Sequence, residues 1–164
     1  MTIRISKIIF VIIIASNITI VAINNLLDYS SNYLFVQHVE SMDTTFPENT
    51  LKWRAIDSPF FWNVSYIIII TWEFAIMFFC WFGIVKLVKN IKSSDDIFET
   101  SKKPAIIGLT LCALLFGFVF ITVAGEWFLM WQSTVWNGES SAIKMFMMSG
   151  LSLIYLNMKD NTKN

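Results

Sequence analysis

The sequence predicts an all-α protein, a polytopic transmembrane bundle of four helices with an amphipathic helix in the extracytoplasmic loop between spans one and two. Three observations predict it. Of 164 residues, 55% are hydrophobic and only 15% charged, with a mean hydropathy of +0.60, whereas an ordinary soluble domain carries about 25% charged residues. The apolar residues gather into four runs near the roughly 20 residues that cross a bilayer. Lys and Arg fall unevenly on the two sides those runs define. This combination excludes a free-standing water-soluble protein, and the formal net charge of +0 offers no global attraction to nucleic acid.

Arg4 and Lys7 precede an apolar run from Ile8 to Ile23, giving a first span over about residues 5–26. The run is long for a signal peptide, has no A-x-A site and is followed by further spans, so it reads as a retained helix. An outer loop follows over about residues 27–59. Within it Tyr29, Tyr33, Val36 and then Phe35, Val39, Met42 recur at helical spacing, which predicts the amphipathic helix, with a turn over Thr44 to Pro47. The second span, about 60–88, opens with Trp62 and Tyr66 at interface depth and closes on Lys86 and Lys89.

A polar segment, KNIKSSDDIFETSKKP, separates it from a third span over about 105–131, with Pro104 suited to a first helical turn. Trp127, Trp131 and Trp136 then form an aromatic belt. After the turn-like Asn137, Gly138 and Glu139, a fourth run over about 142–158 just reaches spanning length, and Lys144 near its start can snorkel to the headgroups. Arg4, Lys7, Lys86, Lys89, Lys92, Lys102, Lys103, Lys159 and Lys163 fall on one side, and Lys52, Arg54 and Lys144 on the other. The positive-inside rule therefore places both termini and the middle loop in the cytoplasm. No linker or repeat divides the chain, which is expected to be a single integral membrane domain over residues 1–164.

At about 1.5 Å of rise per residue, Glu73 falls near the middle of the second span, Asn17 near that of the first, and Ser149 of the fourth at a similar level. A carboxyl at that depth must face a partner or a wet cavity, or stay neutral. At about 100° per residue, Tyr66, Glu73, Met77, Cys80 and Ile84 share one stripe, and Asn17, Asn24 and Asp28 another. Two readings follow for the seam of Asn17, Asn24, Tyr66 and Glu73. In one, Glu73 couples proton or cation movement, in an architecture similar to the small multidrug-resistance transporters. In the other, a neutral Glu73 donates a hydrogen bond to Asn17 and fixes helix register.

A second candidate group, at the outer face, is His38, Glu126, Trp127 and Trp131. His38, Glu40 and Asp43 are near in sequence, but one imidazole and two carboxylates lack the spacing of a zinc site, so no metal is expected. A single His cannot supply a bis-His haem. Cys80 and Cys112 fall at similar depth and read as small hydrophobes rather than a disulfide. Thr110, Ala113, Gly117 and Ala124 form a small-residue stripe on the third span, a packing face within the protein or, through Ala113, Gly117 and Ala124, toward a second copy or a membrane partner. Nothing matches G-x-S-x-G, H-E-x-x-H, a Walker A loop or G-x-G-x-x-G. No catalytic residue, enzyme activity or cofactor is therefore expected, and the expected surroundings are the lipid bilayer and other membrane protein, not nucleic acid.

The string FVQHVESMDTTFP from Phe35 to Pro47, WRAI from Trp53 to Ile56, GEWFLMWQS from Gly125 to Ser133 and WNG from Trp136 to Gly138 resemble a bacterial family of predicted small integral membrane proteins, a domain-of-unknown-function family. The resemblance covers nearly the whole chain and implies a four-helix protein of a bacterial inner membrane. It implies no activity. The residues themselves favour a non-enzymatic accessory, assembly or regulatory membrane subunit, with a small proton- or cation-coupled transporter using Glu73 as the alternative.

Overall fold

The first apolar run forms α1 (Thr2–Leu27), the first helix of a computed structural model that describes residues 1–160. Lys163 lies outside the described residues. Along α1 the buried positions Arg4, Lys7, Val11, Ile14, Ile18, Ala22 and Asn25 recur every three or four residues, the spacing that keeps one helical face against its neighbours. The chain kinks at Asp28 into α2 (Tyr29–Ser41), the helix its apolar spacing predicts, and leaves it through Met42 in the left-handed region at φ 51°. A 3₁₀ turn over Lys52–Arg54 leads to α3 (Pro59–Lys89), which starts with proline in its first turn. There the missing N–H costs no helical hydrogen bond.

The polar segment after α3 is partly helical. Ser94 precedes α4 (Asp95–Ser101), whose first turn holds Asp95 and Asp96, acidic residues that favour the positive helix N-terminus. Phe98 of α4 is fully buried, with the Arg4 guanidinium 4.4 Å above its ring. Next comes α5 (Lys103–Leu114), again with proline in the first turn. From Leu115 to Trp127 the helix continues with π winding, in which backbone bonds run over five residues rather than four. Phe128 N–H accordingly donates to Val123 O at 3.0 Å. The third apolar run stops at Trp127 rather than at 131, because Leu129 adopts φ 55° and Met130–Gln132 forms a 3₁₀ turn. The last helix, α6 (Glu139–Asn157), carries the fourth run. Among the described residues, three helices are long and apolar enough to cross a membrane, Thr2–Leu27, Pro59–Lys89 and Asp95–Trp127; α6, interrupted by Lys144, Ser149 and Ser152, is not one of them.

Packing centres on α3, which lies against α1 on one side and α5 on the other, while α6 packs on α5, the π segment and α1. Where lipid tails are as apolar as Leu, close van der Waals fit is what joins helices. The tightest fit falls between α3 and α5: a Cβ at Gly83 would sit 2.5 Å from Ala105 N, and one at Gly108 would sit 2.6 Å from Cys80 Sγ. Small residues thus do set a crossing, but Gly83, Ala105 and Gly108 set it. Of the stripe drawn on the third span, Thr110 is exposed, Ala113 and Ala124 are half-buried, and Gly117 faces Phe146 of α6. The stripe assumed 100° per residue throughout, and π winding beyond Leu115 breaks that phase.

At one end of the molecule the N-terminus, the α3–α5 connection and the last described residues meet. Asp160 accepts from Arg4 Nε at 3.1 Å and Lys7 Nζ at 2.5 Å. Arg4 also reaches Asp95 and the carbonyls of Ile91 and Ser93, and Lys7 the carbonyl of Met158. Burial raises the Asp160 carboxyl, but Lys7, with Lys102 and Arg4, outweighs that and holds it below the usual range. The opposite end is closed by α2 and two loops: Ile56 N–H donates to Glu40 O at 2.8 Å, and Thr44 Oγ1 to Ser133 Oγ at 2.9 Å.

Candidate functional site

Near the ionic end α1 and α6 touch, with Ser6 Oγ 2.5 Å from Tyr155 OH and the rings of Phe10 and Tyr155 5.3 Å apart. Toward the other end they part, and a cleft of about 540 Å³ opens between them under α2. From α1 it is lined by Asn17, Val21, Asn24 and Asn25, from α2 by Asn32, Phe35 and Val36, from α3 by Tyr66, Ile69 and Glu73, and from α6 by Ser141, Lys144, Met145 and Met148. Phe116 and Phe120 of the π segment complete the wall. The cleft therefore sets one acid, one base, four asparagine amides and the hydroxyls of Tyr66 and Ser141 in a mainly apolar frame.

Glu73, 2% exposed, is the buried centre of this polar set. Its Oε2 accepts from Asn25 Nδ2 at 2.7 Å, Asn25 Oδ1 accepts from Asn32 Nδ2 at 2.6 Å, and Tyr66 OH donates to Asn25 O at 3.2 Å. The Tyr66 ring packs on Tyr29 at 4.6 Å, and Tyr29 OH donates to Asn63 Oδ1 at 3.0 Å. The expected bond from Glu73 to Asn17 is thus corrected in both partner and direction. Asn25 is the partner, and it is the donor. Asn17 and Asn24 line the cleft but are exposed. The sequence held the signal for Asn25, which continues the buried α1 series of Val11, Ile14, Ile18 and Ala22, whereas Asn17 and Asn24 lie off it. Asp28, also expected on the asparagine stripe, is exposed, and the Ser31 hydroxyl at 2.7 Å holds its carboxyl below the usual range.

Of the α3 stripe, Tyr66, Glu73, Cys80 and Ile84 are buried as the spacing predicts and Met77 is half-buried, and Cys80 and Cys112 are buried, unbridged thiols. Ser149 lies buried but turns to its own helix, donating to Met145 O at 2.8 Å.

The four residues of the expected outer-face group do not form one site: Glu126 and Trp127 share surroundings with Arg54, while His38 and Trp131 take other partners. His38 Nδ1 lies 2.7 Å from Asp43 Oδ2, and its ring stacks on Trp136 at 4.5 Å. Trp127 packs against Trp53 and under the Arg54 guanidinium, 4.6 Å from its ring centre. Trp131 packs edge-on against Phe46, and exposed Glu126 shares a shallow recess with Arg54 and Trp127. Glu40 does not join His38 and Asp43. Two residues on from His38, it turns about 200° round the helix and is buried, and burial there pushes its carboxyl above the usual range, opposed by the Ser65 hydroxyl.

No curated protein and no solved structure matches this chain. A family match that runs over residues 3–159 places it instead, in keeping with its long apolar helices: the chain belongs to the family described as predicted small integral membrane protein (DUF2165).

Proposed function

We propose that the chain is a four-span protein of a bacterial inner membrane that works without catalysis, as an accessory, assembly or regulatory subunit of another membrane protein. In this reading α6 is the fourth span, both termini and the α3–α5 connection are cytoplasmic, and α2 lies on the extracytoplasmic side. The Lys and Arg distribution supports that orientation, as does the gathering of Arg4, Lys7 and Lys102 at one end of the molecule.

The observation that carries the reading is the cleft wall. Asn17 and Asn24 are exposed on a helix whose mean composition is strongly apolar, and an amide facing hydrocarbon finds neither donor nor acceptor there. A partner helix with hydrogen-bonding side chains, seated between α1 and α6, would satisfy both. The test is purification of the tagged protein from its native membrane in mild detergent. A stoichiometric membrane partner that is lost from the Asn17→Leu and Asn24→Leu variants is expected; a lone monomer, or a partner indifferent to both substitutions, refutes the reading.

A small proton- or cation-coupled transporter is the second reading, favoured by Glu73 and Lys144 lining the same cleft. Glu73→Gln in proteoliposomes separates the two: unchanged pH-dependent flux removes the transporter.

A further inference from the structure

A second cavity, of about 200 Å³, lies beneath α2 between α3 and the π segment. Its lining is mainly apolar and includes the rings of Phe35, Trp72, Phe120 and Phe128. The Trp72 ring is fixed by its indole N–H, which donates to Leu111 O at 3.1 Å. One ionisable side chain lines the space, Glu40 of α2, and one hydroxyl, Ser65 of α3. Glu40 is 8% exposed, and its Oε2 is buried without a hydrogen-bond partner.

A carboxyl oxygen removed from water and left unpaired is costly, and a donor entering the space removes that cost. Aromatic faces carry negative charge density and attract cations, and an ionised carboxylate is a pure acceptor. Both features select a positively charged guest. A bare hard metal ion is a poor fit, since it needs six or so oxygen ligands and this lining offers one carboxylate and one hydroxyl among apolar groups. The volume is that of a small guest rather than of a lipid or a helix.

We propose that this cavity binds a small organic ammonium ion with an apolar body, its N–H donating to Glu40 Oε2 and its apolar part packed among the four rings. The proposal does not depend on what occupies the cleft between α1 and α6. The two spaces are nevertheless neighbours, because Phe35 and Phe120, whose ring centres are 6.5 Å apart, line both. A guest beside Glu40 would press on the wall that the cleft shares.

The experiment follows 4-fluorobenzylammonium by ¹⁹F NMR with the full chain in nanodiscs at neutral pH, with empty nanodiscs as the blank. Saturable binding to the wild type is expected, at least about tenfold tighter than that of the near-isosteric 4-fluorobenzyl alcohol. Glu40→Gln, which keeps the side-chain shape and removes the charge, should weaken ammonium binding by at least about tenfold and leave the alcohol unaffected. Ala124→Leu, which fills the cavity from its wall and leaves Glu40 in place, should abolish binding of both. No saturable binding beyond the blank, equal affinity for ammonium and alcohol, or a Glu40→Gln protein that binds the ammonium as the wild type does, would each overturn the proposal. The wild-type comparison of the two probes needs no variant and stands whether or not the substituted chains fold.

Discussion

Replacing Asn25 with Leu removes the hub of the polar set in the cleft wall. The side chain gives up a 2.7 Å bond to Glu73 and a 2.6 Å bond from Asn32, while the Tyr66 hydroxyl keeps its bond to the residue 25 carbonyl. Asn32 is exposed and can find another acceptor, so the loss concentrates on Glu73, which is 2% exposed and has no such recourse. A hydrogen bond to a charged group in a water-soluble protein is worth about 1.5–3 kcal/mol, but side-chain bonds between helices in a membrane average about 0.6 and reach about 1.7 kcal/mol. The short distance and the burial of both partners put this one near the upper membrane value. A double-mutant cycle of Asn25→Leu with Glu73→Leu should therefore give a coupling of about 1.5 kcal/mol, about tenfold in the unfolding equilibrium. The assay is reversible unfolding in mixed micelles, following tryptophan fluorescence. Asn25→Leu alone should destabilise by about 2 kcal/mol, and the double variant by clearly less than the sum. A coupling under about 0.5 kcal/mol would refute the assignment of Asn25 as the partner of Glu73.

Gly83→Ala should destabilise by about 1–3 kcal/mol, the cost of over-packing, because its Cβ would meet the Ala105 backbone at 2.5 Å; Gly150→Ala, with open space around it, should be neutral or gain up to about 1 kcal/mol of helix propensity, and melting temperatures compare the two. Glu40→Gln should raise stability at neutral pH. Since burial raises the Glu40 carboxyl above its usual range, the wild-type carboxyl contributes fully below that usual range and loses its contribution as pH rises through the raised value, so the difference between variant and wild type should grow as pH rises from the usual carboxylate range through the raised value and then level off. Asp160→Asn should cost about 3 kcal/mol at neutral pH, toward the low end for an uncompensated buried charge, because Arg4 and Lys7 keep carbonyl acceptors. Asp160 has a lowered carboxyl, so its contribution is present above the usual range and is lost as pH falls through the lowered value; denaturation followed across acid pH checks the sign.

The long helices were legible because a lipid-facing helix declares itself by length and composition alone, and α2 because Tyr29, Tyr33, Val36 and Val39 repeat at helical spacing. The α3 stripe of Tyr66, Glu73, Met77, Cys80 and Ile84, buried at every position but the half-buried Met77, was legible too, since α3 keeps ordinary winding throughout. Other features depend on information that local pattern does not hold. The π segment uses Leu115, Val119, Phe120, Val123 and Ala124 on its cavity side, a spacing of four and five residues that a 3.6-residue template misreads. Glu40 lies near His38 in sequence, and helical geometry sends side chains two residues apart to opposite faces; that it enters a cavity between α3 and the π segment is set by tertiary packing. The short helix α4 was readable in principle from Ser94, Asp95 and Asp96; its reason for existing, the burial of Phe98 beneath Arg4, is tertiary.

The claim that the cleft between α1 and α6 receives a partner is tested most directly by a photo-crosslinking residue placed at Asn17 in living cells, with the same probe at Phe78 of α3 as control. Phe78 is 59% exposed and does not line the cleft. The account predicts one discrete protein adduct from position 17, absent from position 78 and weakened when Asn24 is replaced by Leu. Adducts with lipid alone at both positions would contradict it.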